Sequence, residues 1–129
     1  MNKRILISAA ILAIIAIVLG AFGAHKLKEL LPTESLNSFE TGVRYQIYHV
    51  FLLLFLGLFS EIKNNTKKII YRLTIIGTLF FSGSIYLLST SIITSIDFSS
   101  IGFVTPIGGT LLIIAWFFLL RSFINLKAD

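Results

Sequence analysis

The chain has 129 residues, a formal net charge of +5, 56% hydrophobic residues and only 13% charged ones. Soluble domains carry about 25% charged residues, so this composition excludes a water-soluble globular domain and a disordered chain and points to an integral membrane protein. With no cysteine, disulfides, cysteine metal sites and thioether haem attachment are excluded as well.

A spanning helix needs about 20 apolar residues, and four such runs fill this length as a single domain, residues 1–129, with short loops. The first run, Ile5–Ala24, follows the basic residues Lys3 and Arg4. It is longer than the roughly 7–15 apolar residues of a signal-peptide core, so it reads as a retained helix. The connection after it is the least hydrophobic stretch. Lys26-Leu27-Lys28-Glu29-Leu30-Leu31 reads as a short amphipathic extension of helix one on the outer side, stopped by Pro32. Leu36, Phe39 and Val43 then recur at helical spacing, which starts helix two near Ser35, with its apolar run at Val43–Phe59. The third run is Ile69–Ile93 and the fourth Pro106–Phe123, where Thr105 suits the N-cap and Pro106 the first helical position. Continuous apolar runs, without alternation, argue against a β-barrel. The expected fold class is therefore all-α: a bundle of four transmembrane helices.

Lys and Arg set the expected orientation. With the N-terminus inside, Lys3, Arg4, Lys63, Lys67, Lys68, Arg72, Arg121 and Lys127 fall on the inner side, and only Lys26, Lys28 and Arg44 fall outside. Both termini are thus expected in the cytoplasm, in a multi-pass protein of the inner (cytoplasmic) membrane. This topology also accounts for the basic charge, so no nucleic-acid partner is expected. The expected partners are the lipid bilayer, a second copy of the chain or a larger membrane complex.

Polar groups in hydrocarbon are costly and mark candidate sites. The densest cluster runs from Glu40 to His49. At four-residue spacing it forms one stripe of Glu40, Arg44 and Tyr48 and another of Thr41, Tyr45 and His49. Glu four residues before Arg is the favourable order for an ion pair. Tyrosines suit the membrane boundary. His49 lies about 7.5 Å deeper than Arg44 at 1.5 Å per residue, below the level at which a snorkelling residue stops. The collar therefore reads either as an interfacial belt or as a binding site facing the bundle. His25 ends helix one on the same side, and two histidines on different helices are one way to hold a haem. No metal site or cofactor is expected, because no carboxylate-rich cluster stands beside the histidines.

Segment three carries Thr74, Thr78, Ser82, Tyr86 and Thr90 four residues apart, with Gly77, Gly83 and Ser84 nearby. Small and hydroxyl residues let membrane helices approach and hydrogen-bond; a narrow polar path is the rival reading. Ala16, Gly20 and Ala24 in helix one and Gly108-Gly109 in helix four add small faces. Trp116 falls in mid-helix and is expected to face the bundle or a partner. Asp97 reads as a solvated loop residue. No G-x-S-x-G, H-E-x-x-H, phosphate-binding loop or paired carboxylates at membrane depth occur, so an enzyme is not expected.

Four stretches carry a family resemblance: Gly20-Ala21-Phe22-Gly23-Ala24-His25-Lys26-Leu27, Phe39 through His49, Phe81-Ser82-Gly83-Ser84-Ile85-Tyr86, and Thr105-Pro106-Ile107-Gly108-Gly109. In order and spacing they resemble the small inner-membrane family of YgdD and transmembrane protein 256, also called domain of unknown function 423. The resemblance implies four membrane helices and carries no biochemical activity.

The binding candidates are therefore Glu40, Arg44, Tyr45, Tyr48, His49, His25, Ser82, Tyr86 and Thr105. The leading expectation is a non-enzymatic lipid- or protein-binding accessory module with a polar site near the outer leaflet. A small oligomeric transporter or channel subunit using His49 and Arg44 comes second, and a haem-binding redox carrier third. The orientation is tested directly. Ser99→Cys is expected to react with a membrane-impermeant thiol reagent added outside intact cells, and Asn65→Cys only after permeabilisation; the reverse pattern would invert the topology.

Overall fold

A computed structural model describes residues 1–127 of the chain. Four helices are long and apolar enough to cross a membrane: α1 (Asn2–Leu30), α2 (Thr33–Leu58), α3 (Asn64–Ser89) and α4, which belongs to the fourth span and runs Val104–Ile124. No strand occurs among the described residues.

The distribution of side chains identifies the solvent. Ile17, Phe51, Ile113 and Phe117 are 58–66% exposed, whereas Gln46, His49, Lys67, Thr74, Thr78, Ser82 and Ser84 are buried. Water would penalise that outer surface, and a bilayer favours it, because polar groups facing lipid are costly.

Each helix turns one seam inward, in which small or polar residues stand among apolar ones. In α2 the buried positions Phe39, Gly42, Gln46, His49, Leu53 and Leu56 alternate by three and four residues, the spacing that follows one face of a helix. In α4 Gly108, Leu112, Ala115 and Leu119 do the same. Along the α1–α2 contact, a Cβ on Gly20 would lie 3.4 Å from Val43, one on Gly23 3.1 Å from the Phe39 ring, and one on Gly57 2.7 Å from Leu6. The α3–α4 contact is closer still. Gly108 lies against the backbone of Phe80 and Phe81, and Gly77 against Leu112. Gly42 joins the two pairs, since a Cβ there would stand 2.8 Å from the Tyr86 ring. One apolar cluster, including Ile5, Ala9, Leu53, Leu56, Ile70, Ala115 and Leu119, draws on all four helices. A smaller one, Leu27, Leu31 and Phe39, closes the opposite end.

The connections follow local chemistry. Leu31 is extended (φ −101°, ψ 143°), as Pro32 requires of its predecessor. Helix two then begins at Thr33, two residues before the expected Ser35. The amphipathic extension of helix one is continuous with the span through a π turn at Gly23–Leu27. A second π turn, Leu79–Gly83, widens α3. The third segment was expected to run to Ile93, but α3 ends at Ser89, followed by one separate turn, Ser91–Thr94. The Ser89 and Thr90 hydroxyls donate to the carbonyls of Ile85 and Tyr86 at 2.7 and 2.6 Å, and such local bonds compete with helix propagation. In the loop beyond, the exposed Asp97 accepts the Ser99 N–H at 2.9 Å, which holds its carboxyl below the usual value.

The N-cap assignment of Thr105 is corrected. Helix four starts at Val104, Phe103 occupies the cap position without a side-chain bond, and a 3₁₀ turn, Ser99–Ile101, leads into it. The Thr105 hydroxyl is shared instead with Ser84 at 2.5 Å. Pro106 still falls in the first turn, where its missing N–H costs nothing.

The α3–α4 crossing has a matched test. Gly108→Ala places a methyl against the Phe81 backbone and is expected to destabilise by about 1–3 kcal/mol. Gly83→Ala meets nothing within 4 Å and is expected to be neutral or slightly stabilising. Thermal unfolding of both variants in detergent measures the difference.

Candidate functional site

The polar collar of α2 divides between outside and inside. Glu40, Arg44, Tyr45 and Tyr48 are exposed, and Gln46 and His49 are buried. Glu40 and Arg44 do not form the expected ion pair. No salt bridge is present among the described residues at this position, and Arg44 Nη2 donates to Thr41 Oγ1 at 3.1 Å. The guanidinium, with five donors in a planar fork, keeps most of its capacity free. Arg44 and Glu40 line a cleft of about 270 Å³ between α1 and α2, with Gly20, Gly23, Phe39, Val43, Ile47 and Tyr48 as the other walls. Tyr45 instead turns towards α3, its ring 5.0 Å from that of Phe81 and 5.4 Å from that of Tyr48.

His49 is 4% exposed and hydrogen-bonded at both ring nitrogens. The Trp116 indole, a donor only, gives its N–H to Nε2 at 3.1 Å. The imidazole proton is therefore on Nδ1, which donates to the Tyr45 carbonyl at 2.7 Å. Nδ1 is thus held by its own helix and Nε2 joins α2 to α4, while Trp116 itself stays half exposed.

The histidines do not converge. Gly23 opposite Phe39, Gly20 opposite Val43 and Gly57 opposite Leu6 fix the antiparallel register of α1 on α2. His25 then stands at the level of Ser38 and His49 at the level of Ile14, about 16 Å apart along the helix at 1.5 Å per residue. His25 is exposed. The two cannot serve one haem as an axial pair.

The residue that organises the interior is Gln46, which the stripes of four left out. Its amide Nε2 donates to the Leu12 carbonyl of α1 at 2.7 Å, and its Oε1 accepts the Tyr86 hydroxyl of α3 at 2.7 Å. One side chain thus joins three helices. Ser82 Oγ donates to the Gly42 carbonyl at 2.7 Å, one turn away. Ser84 donates within the π turn, reaching the carbonyls of Phe80 and Phe81, and meets Thr105. Ser82, which is buried, and Tyr86 and Thr105, which are half-buried, are therefore helix-to-helix contacts, not members of one pocket with Arg44.

Two further residues escaped the sequence reading. Lys67, assigned to the inner loops by its charge, is 1% exposed and bonds Asn2 Oδ1 through Nζ at 3.3 Å. Tyr71 shares a hydrogen bond with Ser8 at 2.8 Å. Both lie on the inward face that continues to Thr74, and that spacing was the available signal. Among the described residues no group of three His, Cys, Asp or Glu side chains could hold a metal ion.

Fold and surface together define an integral membrane protein of four helices with a polar interior. The family described as "Protein of unknown function (DUF423)" matches residues 19–109, and the chain belongs to that family. It is 37% identical to UPF0382 membrane protein SSP2132 of Staphylococcus saprophyticus, over 91% of this chain and 93% of that protein. It is 35% identical to UPF0382 membrane protein YwdK of Bacillus subtilis, over 88% and 90% of the two chains. It is also 35% identical to UPF0382 inner membrane protein YgdD of Escherichia coli, over 98% and 93%. No solved structure matches the chain.

Proposed function

We propose that the protein is a non-enzymatic, phospholipid-binding accessory module of the inner membrane, with both termini in the cytoplasm and its lipid site towards the outer leaflet. The observation that carries this reading is Arg44. It is an exposed guanidinium on a membrane-spanning helix, without a carboxylate partner among the described residues, on the wall of a mostly apolar cleft.

A guanidinium fork matches a phosphate in geometry and charge. Glu40, one turn away on the same wall, would meet the ammonium of a zwitterionic headgroup such as phosphatidylethanolamine. Gly20 and Gly23 lower one wall of the cleft, and Val43, Ile47 and Tyr48 supply apolar surface for the start of an acyl chain. The inner-membrane location is supported by the name of the Escherichia coli relative and the orientation by the eight-to-three division of Lys and Arg. The transporter reading loses weight, because the titratable ring it needs spends both nitrogens on Tyr45 and Trp116.

Native mass spectrometry of gently extracted protein tests the assignment. The wild-type chain is expected to retain phosphatidylethanolamine, and Arg44→Ala to lose it while unfolding at the same temperature. Equal retention by the two proteins would refute the role of Arg44. A retained subunit in place of lipid would transfer the site to a protein carboxylate.

A further inference from the structure

The end of the bundle where α1 begins and α4 finishes has a cleft of about 290 Å³ between the α2–α3 connection and the last turns of α4. In α4, Arg121, Ser122 and Asn125 follow Phe118 by three, four and seven residues and so share its face. Opposite them stand Glu61 and Lys63 from the connection and Thr66 from the first turn of α3. Two cations from separate elements thus meet at one concavity, with a carboxylate and three neutral hydrogen-bonding side chains around them. Of these polar side chains only Ser122 is hydrogen-bonded among the described residues, donating to the Phe118 carbonyl at 2.9 Å. Lys63 and Arg121 are exposed and join no helices. Beside Lys63, the start of α3 has no capping side chain and no acidic residue in its first turn, so its free N–H groups add to the positive potential of the cleft.

We propose that this cleft is a second lipid site, which binds the phosphate of an anionic phospholipid of the class of phosphatidylglycerol. The charge count selects the class. Lys63 and Arg121 against Glu61 leave one net positive charge, the complement of a lipid with a single negative charge. At the other end of the bundle Arg44 and Glu40 balance, as the charges of a zwitterionic headgroup do. The guanidinium fork of Arg121 and the ammonium of Lys63 match the phosphate oxygens. Thr66, Ser122 and Asn125 can hydrogen-bond to a glycerol headgroup, and Glu61 can accept from its hydroxyls. The volume suits a headgroup and not a whole lipid, since clefts that enclose drug-sized ligands begin at about 300 Å³. The surroundings favour a lipid over a free phosphate compound. Ile114, four residues before Phe118, and Ile69, three after Thr66, continue the two walls into the membrane and are 37% and 41% exposed. Apolar surface for an acyl chain therefore begins where the polar cleft ends. This inference is independent of Arg44 and of the reading built on it, and it holds whichever way the protein faces.

The test is native mass spectrometry of the full chain, stripped of lipid in detergent and titrated with phosphatidylglycerol or phosphatidylethanolamine. Lys63→Gln and Arg121→Gln are each expected to weaken phosphatidylglycerol binding about fivefold, with phosphatidylethanolamine binding and the unfolding midpoint unchanged. Both side chains are exposed, so neither change touches the core. Lys68→Gln, exposed at the same end but outside the cleft, and Arg44→Ala are expected to leave phosphatidylglycerol binding as it is. An equal loss in Lys68→Gln would mean attraction by diffuse charge, and a loss in Arg44→Ala would move the lipid to the other cleft. Unchanged binding in both Lys63→Gln and Arg121→Gln would remove the site. Each of these results overturns the proposal. Inorganic phosphate in large excess distinguishes the source of the ligand. It is expected to leave the lipid bound; displacement would assign the cleft to a free phosphate compound and overturn the lipid assignment.

Discussion

Gln46 makes two hydrogen bonds with one side-chain amide, and through them three helices share one polar centre. In water such a group would exchange its partners with solvent at little cost. Inside a bilayer it has no such alternative, because hydrocarbon offers neither donor nor acceptor. The hydrophobic effect cannot press helices together there, since lipid tails are as apolar as leucine. Close backbone approach and interhelical hydrogen bonds have to supply the attraction. The rest of the structure is arranged around that constraint. Glycines stand where helices cross, at Gly42, Gly77 and Gly108, and hydroxyls and amides stand beside them.

The same constraint separates the structural polar groups from the candidate ligand-binding ones. His49, Gln46, Ser82, Ser84 and Tyr86 have protein partners on other helices and join them. Among the described residues Arg44 bonds only a hydroxyl one turn away, and it is exposed. On the reading proposed above, the anion that meets this cation is the phosphate of a phospholipid. The cleft beside it carries a carboxylate on the same wall, which in that reading would give a headgroup a direction as well as a charge.

Much of this architecture could be read from the sequence. Four apolar runs gave four helices, Pro32 gave the first turn, and the stripe from Thr74 to Tyr86 faced inward as its spacing implied. The π turn at Leu79–Gly83 helps to keep that stripe together, because an ordinary helix rotates residues four apart steadily off one face. Where no π turn intervened, a strict step of four misled. It grouped Thr41 and Tyr45 with His49 and omitted Gln46, whereas steps of three and four alternately (Gly42, Gln46, His49, Leu53) follow the buried face. Partners across helices were not legible at all. Nothing in one chain's sequence aligns Trp116 with His49 or Lys67 with Asn2, since those meetings depend on register. The missing Glu40–Arg44 pair shows the reverse limit, in which a favourable spacing permits a contact that the side chains do not make.

A double-mutant cycle between Gln46 and Tyr86 tests most directly whether buried polar contacts hold this bundle. Gln46→Leu, Tyr86→Phe and the double variant would be unfolded reversibly in mixed micelles and their stabilities compared. A coupling of about 0.6 kcal/mol is predicted, the average for hydrogen bonds between membrane helices, with about 1.7 kcal/mol as the upper bound. Additive losses, with no coupling beyond error, would mean that the two residues are merely neighbours and that close packing alone keeps the helices together.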